Sequence, residues 1–318
     1  MRNLPAEPSR GPASAESDAL QLPSGAAVAV GLVVPIGERT GGAARLDLRP
    51  GRRPGVQPLV RCTAVEITVL GKSPAMPDAG GANSGYLVTE DGFKLLLECG
   101  TGVFAQLRTV CEPPAVDVLL ITHMHADHFA DLLPYGHALA YPYRDSGRRP
   151  RLLLPPGGRQ PLLQIAELFG MGYPIDGVFD VEEYDPDEVA AVGPFTVRHS
   201  EVPHYVRTWA CELSDPQGGR FTFGADCAPN QGLVEFAGDT DLLMLEATEE
   251  VVPDVPEGDV RGHMTAREAG EMASQAGANR LALTHFSDLL DPQVVIREGQ
   301  AGFGRPVELV QAGARFRV

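Results

Sequence analysis

His123, His125, Asp127 and His128 fall within six residues of a 318-residue chain that holds only eight histidines. They follow the apolar run Val116–Ile121, which reads as a buried strand, so they occupy the loop at its C-terminal end. In extended backbone, residues i and i+2 point to one side, so His123 and His125 can address one cation. A turn into a helix then aims Asp127 and His128 at a second position. Imidazole and carboxylate together suit zinc, manganese or iron better than calcium or magnesium. A solvated loop without a ligand is the alternative, and it leaves this concentration of histidine unexplained.

Such a set needs strand ends to hold it, and the chain supplies them. From "AVEITVLG" (64–71) onward the pattern is regular, and residues 63–318 read as one domain. Residues 1–62 are rich in Pro, Gly, Ala and Arg without a sustained period, and are expected to be a disordered extension. Strand-like runs come at 84–89, 93–100, 116–123, 151–156, 193–202, 209–215, 220–227, 241–248 and 280–287. Helical runs lie at 102–110, 160–170 and 265–277. Thr265 and Glu268 form a capping box, with His263 just before it at the positive end of the helix dipole. Hairpins mixed with helices predict two sheets with helices outside, an α/β (α+β) arrangement.

The net charge of −16 speaks against a broad phosphate-binding surface but not against a small anion held by metal. Between Asp176 and Asp259 acids far outnumber the three arginines, Arg198, Arg207 and Arg220. Five scattered cysteines without a C-x-x-C pair predict reduced thiols and a cytoplasmic location. The apolar run at 26–36 is too short to span a bilayer, so no membrane association is expected.

H-M-H-A-D-H (123–128) matches the H-x-H-x-D-H motif of the metallo-β-lactamase-fold hydrolases, and the resemblance covers about 64–318. It implies an αββα sandwich of two mixed sheets with two divalent metals at the sheet edges. Zinc is the first expectation, and manganese or iron accept the same ligands. His204 in "EVPHYVRTWA", Asp226 in "FTFGADCAP" and His285 in "LALTHFSD" match the remaining ligands. The resemblance gives one metal His123, His125 and His204, the other Asp127, His128 and His285, with Asp226 bridging. It also implies catalytic roles for Asp127 and His263.

"GHMTAREAGEMASQAGANRLALTHFS" resembles the ribonuclease Z and phosphodiesterase branch, in which a histidine placed like His263 contacts the scissile phosphate and protonates the leaving oxygen. Two residues depart from the pattern: Glu98 stands where most members have Asp, and Leu245 where a "HEAT"-like stretch has His. Only 22 residues separate His204 from Asp226, too few for the tRNA-gripping arm of bacterial ribonuclease Z. The expected function is therefore hydrolysis of a small or cyclic phosphodiester, such as a cyclic nucleotide, by a hydroxide bridging the metals. Processing of tRNA 3′ ends is the alternative, and thioesterase or lactonase chemistry a third. A homodimer is expected from the resemblance alone. His137, Tyr135, Tyr141 and Tyr143 either line a substrate pocket or serve as core and rim.

Overall fold

The apolar runs become strands of two sheets. A computed structural model describes residues 65–318, so the expected disordered extension at 1–62 lies outside the described residues. The first sheet contains β1 (Glu66–Gly71), β2 (Gly85–Glu90), β3 (Phe93–Leu97), β4 (Val118–Leu120), β5 (Arg151–Leu154) and β6 (Asp180–Glu183). The second contains β7 (Ala190–Val192), β8 (Phe195–Val202), β9 (Thr208–Ser214), β10 (Arg220–Phe223), β11 (Leu242–Glu246), β12 (Leu281–Thr284) and β13 (Glu308–Leu309). A last strand, β14 (Arg315–Arg317), returns to the first sheet and pairs antiparallel with β1. In each sheet the strands stand in chain order from there, running β1 to β6 in the first and β13 back to β7 in the second.

Inner strands such as β4, β11 and β12 are buried on both faces, which is why the sequence shows near-continuous apolar runs there instead of strict alternation. Ile67, Leu95 and Leu97 meet Trp209, Phe221 and Met244 between the sheets. Leu96, Leu119 and Leu152 face the other way, onto α1 (Val103–Val110), α3 (Leu132–Ala140) and α4 (Arg159–Leu168), with the short α2 (Ala126–Phe129) between α1 and α3 in the chain. Leu243 and Leu245 face α6 (Gln231–Phe236), α7 (Ala266–Gln275) and α8 (Pro292–Phe303), which come after the four-residue α5 (Ile175–Val178). Each fully buried leucine of these layers contributes about 2 kcal/mol. The expected sandwich with outer helices is borne out.

Three differences have physical reasons. The strand expected at 116–123 is hydrogen-bonded as strand only over Val118–Leu120 and releases the chain before His123. Short strands β6, β7, β13 and β14 carry too few residues to show a period. Helix α8 has a Pro at its start and two internal glycines, a poor helical pattern. The glycines are packing requirements: a Cβ on Gly302 would lie 2.1 Å from the Arg267 carbonyl of α7.

Strands β3 to β6 are parallel, as are β10 to β13, so the C-terminal ends within each set share one edge. The loops that leave those ends carry the histidines and carboxylates other than His204, which follows β8. Among the described residues no helix is long and apolar enough to cross a membrane.

Candidate metal centre

The fold brings all seven expected ligands together. His123 and His125 follow β4, and His125 is the N-cap of α2, whose first residues include Asp127 and His128. His204 lies between β8 and β9, Asp226 after β10, and His285 directly after β12. Two groups result, one of His123, His125 and His204, the other of Asp127, His128, Asp226 and His285. Within each group one donor atom per residue lies within 4.8 Å of all the others.

Asp226 links them. Its Oδ2 stands 3.2 Å from His285 Nε2, 3.3 Å from His128 Nε2 and 3.9 Å from His123 Nε2. Asp127 Oδ2 is 3.3 Å from His285 Nε2 and 3.5 Å from His128 Nε2. Strand exits at the site use the left-handed region with non-glycine residues, at Glu98 (φ 62°), Ala225 (φ 54°) and His285 (φ 50°). Such backbone costs free energy and persists only where its surroundings hold it. Close packing helps here, since a Cβ on Gly100 would fall 1.9 Å from the Asp127 carbonyl.

Neighbouring groups fix which imidazole nitrogen carries the proton. The Thr122 hydroxyl donates to Glu98, so at 3.0 Å it accepts from His123 Nδ1–H and leaves Nε2 as a lone pair. The Thr248 hydroxyl donates to the His285 carbonyl at 2.9 Å and therefore accepts from His285 Nδ1–H, also at 2.9 Å. His204 donates Nδ1–H to the Gly262 carbonyl at 2.7 Å. Three Nε2 lone pairs are thus turned toward the cluster, the usual support for metal-ligating histidine.

The donor set fits cations. His123 Nε2 and both nitrogens of His128 are buried without a hydrogen-bond partner among the described residues. His125 Nδ1 faces His204 Nε2 at 3.0 Å, two nitrogens directed at one another. Burial pushes His123 well below the usual imidazole range and His204 down to about 4, so both are neutral, as ligation requires. Burial would raise Asp226, but His285 and His128 hold it well below the usual carboxylate range. His128 goes the other way. Burial lowers it, yet Asp226 and Glu98 outweigh burial and hold a proton that a cation would displace.

Beside the cluster, His263 sets its ring 4.9 Å from His204 and 5.8 Å from His285. Its Nδ1–H donates to Glu246 Oε1 at 2.9 Å. Glu246 is 1% exposed and also accepts from Cys227 N–H at 2.7 Å. Burial lowers the His263 pKa, and the Glu246 carboxylate more than offsets it, raising the value to about 9. The expected capping box is present at Thr265 and Glu268 and sets the backbone just after His263.

A family model described as "Beta-lactamase superfamily domain" matches residues 93–286. The chain belongs to the beta-lactamase superfamily. Within it, the chain is similar to the uncharacterized protein Rv1339 of Mycobacterium tuberculosis, 32% identical over 260 residues, 80% of this chain and 93% of that one. It is also similar to the probable metallo-hydrolase YhfI of Bacillus subtilis, 28% identical over 78% of this chain and 98% of that one. The crystal structure of YhfI superposes with a TM-score of 0.70 at 25% identity, covering 80% of this chain and all of that one. Ribonuclease Z of Haloarcula marismortui is 27% identical over 80% of this chain and 97% of its own. The expected family and the expected hydrolase class are borne out.

Both departures from the superfamily pattern have a place in the structure. Glu98, fully buried, accepts from the Thr122 backbone N–H at 3.3 Å and stands 3.6 Å from His128 Nδ1, so the longer side chain still reaches a histidine. Leu245 faces the helix layer, away from the cluster, because neighbours on a strand point to opposite sides. Glu246, next to it, faces His263. Glu246 and Thr248 both lie in the "LEAT" stretch (245–248), where nothing in the local sequence marks either as a partner of a histidine. Of the aromatic candidates none belongs to the cluster. Tyr135 is buried and donates to the Pro113 carbonyl at 2.7 Å, Tyr143 bonds Glu112, and His137 packs on Tyr141.

Proposed function

We propose that this protein is a metal-dependent phosphodiesterase for small or cyclic phosphodiesters, with His123, His125, Asp127, His128, His204, Asp226 and His285 holding two divalent cations. The His263–Glu246 pair beside the two ligand groups carries this reading. Two such cations, when bound, make water a nucleophile near neutral pH and neutralise the charge of a phosphoryl group. The side chains supply the rest. Asp127 and Asp226 hold the ligand groups in register, and the neutral histidines are oriented by Thr122, Thr248 and Gly262. His263, protonated and anchored by Glu246, presents its remaining N–H toward the cluster and hands that proton to the departing oxygen. A thioester, whose thiolate departs without protonation, would make less use of that proton.

Small esters are favoured over RNA by charge. The segment 249–261 beside His263 carries Glu249, Glu250, Asp254, Glu257 and Asp259 against a single arginine. That residue, Arg261, is paired with Glu268 at 2.6 Å. In the basic segment 144–151, Arg148 pairs with Asp117, Arg149 donates to the Phe179 carbonyl and Arg151 pairs with Glu182. From His204 to Asp226 the chain runs only through β9, a turn and β10. A long RNA needs many free cationic contacts. Similarity to proteins named ribonuclease Z keeps tRNA 3′-end cleavage as the second reading.

The test is to incubate the metal-loaded full chain with 3′,5′- and 2′,3′-cyclic nucleotides and with a tRNA precursor. Turnover of a cyclic nucleotide, lost in Asp226→Ala, is expected. Efficient precursor cleavage with no cyclic-nucleotide turnover would replace this reading by the second.

A further inference from the structure

Tyr205 stands at the rim of the cluster, its ring 5.1 Å from the ring of His204 and 5.6 Å from that of His263. It is 58% exposed, yet it is seated: a Cβ on Gly262 would come within 2.5–2.7 Å of three of its ring atoms. Gly262 is also the residue whose carbonyl orients His204, so the seat and the ligand share one backbone unit. The surroundings offer an unusual mixture. Val206 and Val260 are exposed on the flanking segments. The two neighbouring arginines are engaged, Arg207 with Glu201 and the Trp209 ring, and Arg261 with Glu268. The chain leading to Gly262, residues 249–259, carries carboxylates as its only charges. A second phosphate would find no free cation there, whereas a flat, uncharged ring would find an aromatic face and apolar flanks.

We infer that Tyr205 is the platform on which the base of a nucleotide substrate stacks while its phosphodiester lies at the cluster. Tyr205 is then a specificity-determining residue, and the substrate class is a mononucleotide phosphodiester with a single phosphate. The inference rests on the phosphodiesterase reading above. Stacking on an aromatic side chain tolerates any base, so selectivity lies between esters with and without a base, more than among bases.

The test compares 3′,5′-cyclic AMP with ribose 3,5-cyclic phosphate lacking the base, using full-length, metal-loaded protein of equal metal content. Tyr205→Ala is expected to lower kcat/KM for the nucleotide about tenfold more than for the base-free ester, chiefly through KM. Tyr205→Phe keeps the ring and should retain the wild-type ratio. Equal losses on both esters in Tyr205→Ala would assign the ring to holding Gly262 and His204 and overturn the platform. So would a wild-type protein that does not distinguish the two esters. Turnover of neither ester by wild-type protein would instead overturn the phosphodiesterase reading beneath it.

Discussion

Replacing Glu246 by glutamine should damage proton transfer while sparing the metal ligands. In the wild-type protein burial favours neutral His263, and the Glu246 carboxylate reverses this, raising the pKa from 6.5 to about 9. That gap corresponds to about 3 kcal/mol of preference for the charged ring. In Glu246→Gln the amide oxygen can still accept the Cys227 N–H, which preserves the turn after Asp226. The same oxygen stays within reach of His263 Nδ1–H, so what the substitution removes is the negative charge that favours the charged ring. Asp226 and Glu249 continue to favour the charged ring, so about 2–3 kcal/mol leaves with the carboxylate. Bound cations lower the His263 pKa in both proteins, and the difference between them is what is read.

The assay is kcat against pH for two esters, one with an alkoxide leaving group and one releasing p-nitrophenolate. A positioned acid contributes at least about 100-fold for a leaving group that must be protonated. The alkoxide ester should therefore lose about 100-fold in kcat and show its alkaline limb at lower pH. The nitrophenyl ester should lose far less. Equal losses, or an unmoved alkaline limb, would refute the role given to this pair. Metal-free protein gives an independent reading. Because the folded-state pKa is raised, the pair's stability is fully present below pH 6.5 and lost as pH rises through about 9. The Tm difference between wild type and Glu246→Gln should shrink over that interval.

Other substitutions probe the supports. Gly100→Ala places a methyl 1.9 Å from the Asp127 carbonyl, so it should destabilise by about 3 kcal/mol in urea titration and lower metal content; unchanged metal binding would show that this loop yields easily. Thr248→Val removes the hydroxyl that fixes the His285 tautomer and should weaken metal affinity about tenfold in chelator competition. Thr265→Ala deletes the α7 cap, for an expected loss of about 1 kcal/mol seen as a lower Tm.

How much could be read from residues alone follows from how each feature is encoded. The histidine cluster was legible because four donors lie within six residues, and His204, Asp226 and His285 because each follows an apolar run. Capping at Thr265 was legible because its partner is three residues away. What escaped is long-range. Glu246 meets His263 across 17 residues, Thr248 meets His285 across 37, and the Gly262 carbonyl meets His204 across 58. No local pattern marks such contacts; they exist only once strands β9 to β12 have been placed side by side. Helix α8 escaped for a related reason, since its glycines serve α7 and not the helix itself. Tyr205 carries no local signal, since only the folded chain sets Gly262 against its ring.

The central claim is that two ligand groups, joined by Asp226, hold two cations. It is tested most directly by counting metal equivalents per chain, by mass spectrometry after exhaustive dialysis, in the wild type and in His204→Ala. Two equivalents in the wild type and one in His204→Ala is the expected result. A single equivalent in the wild type, or two retained without His204, would contradict it.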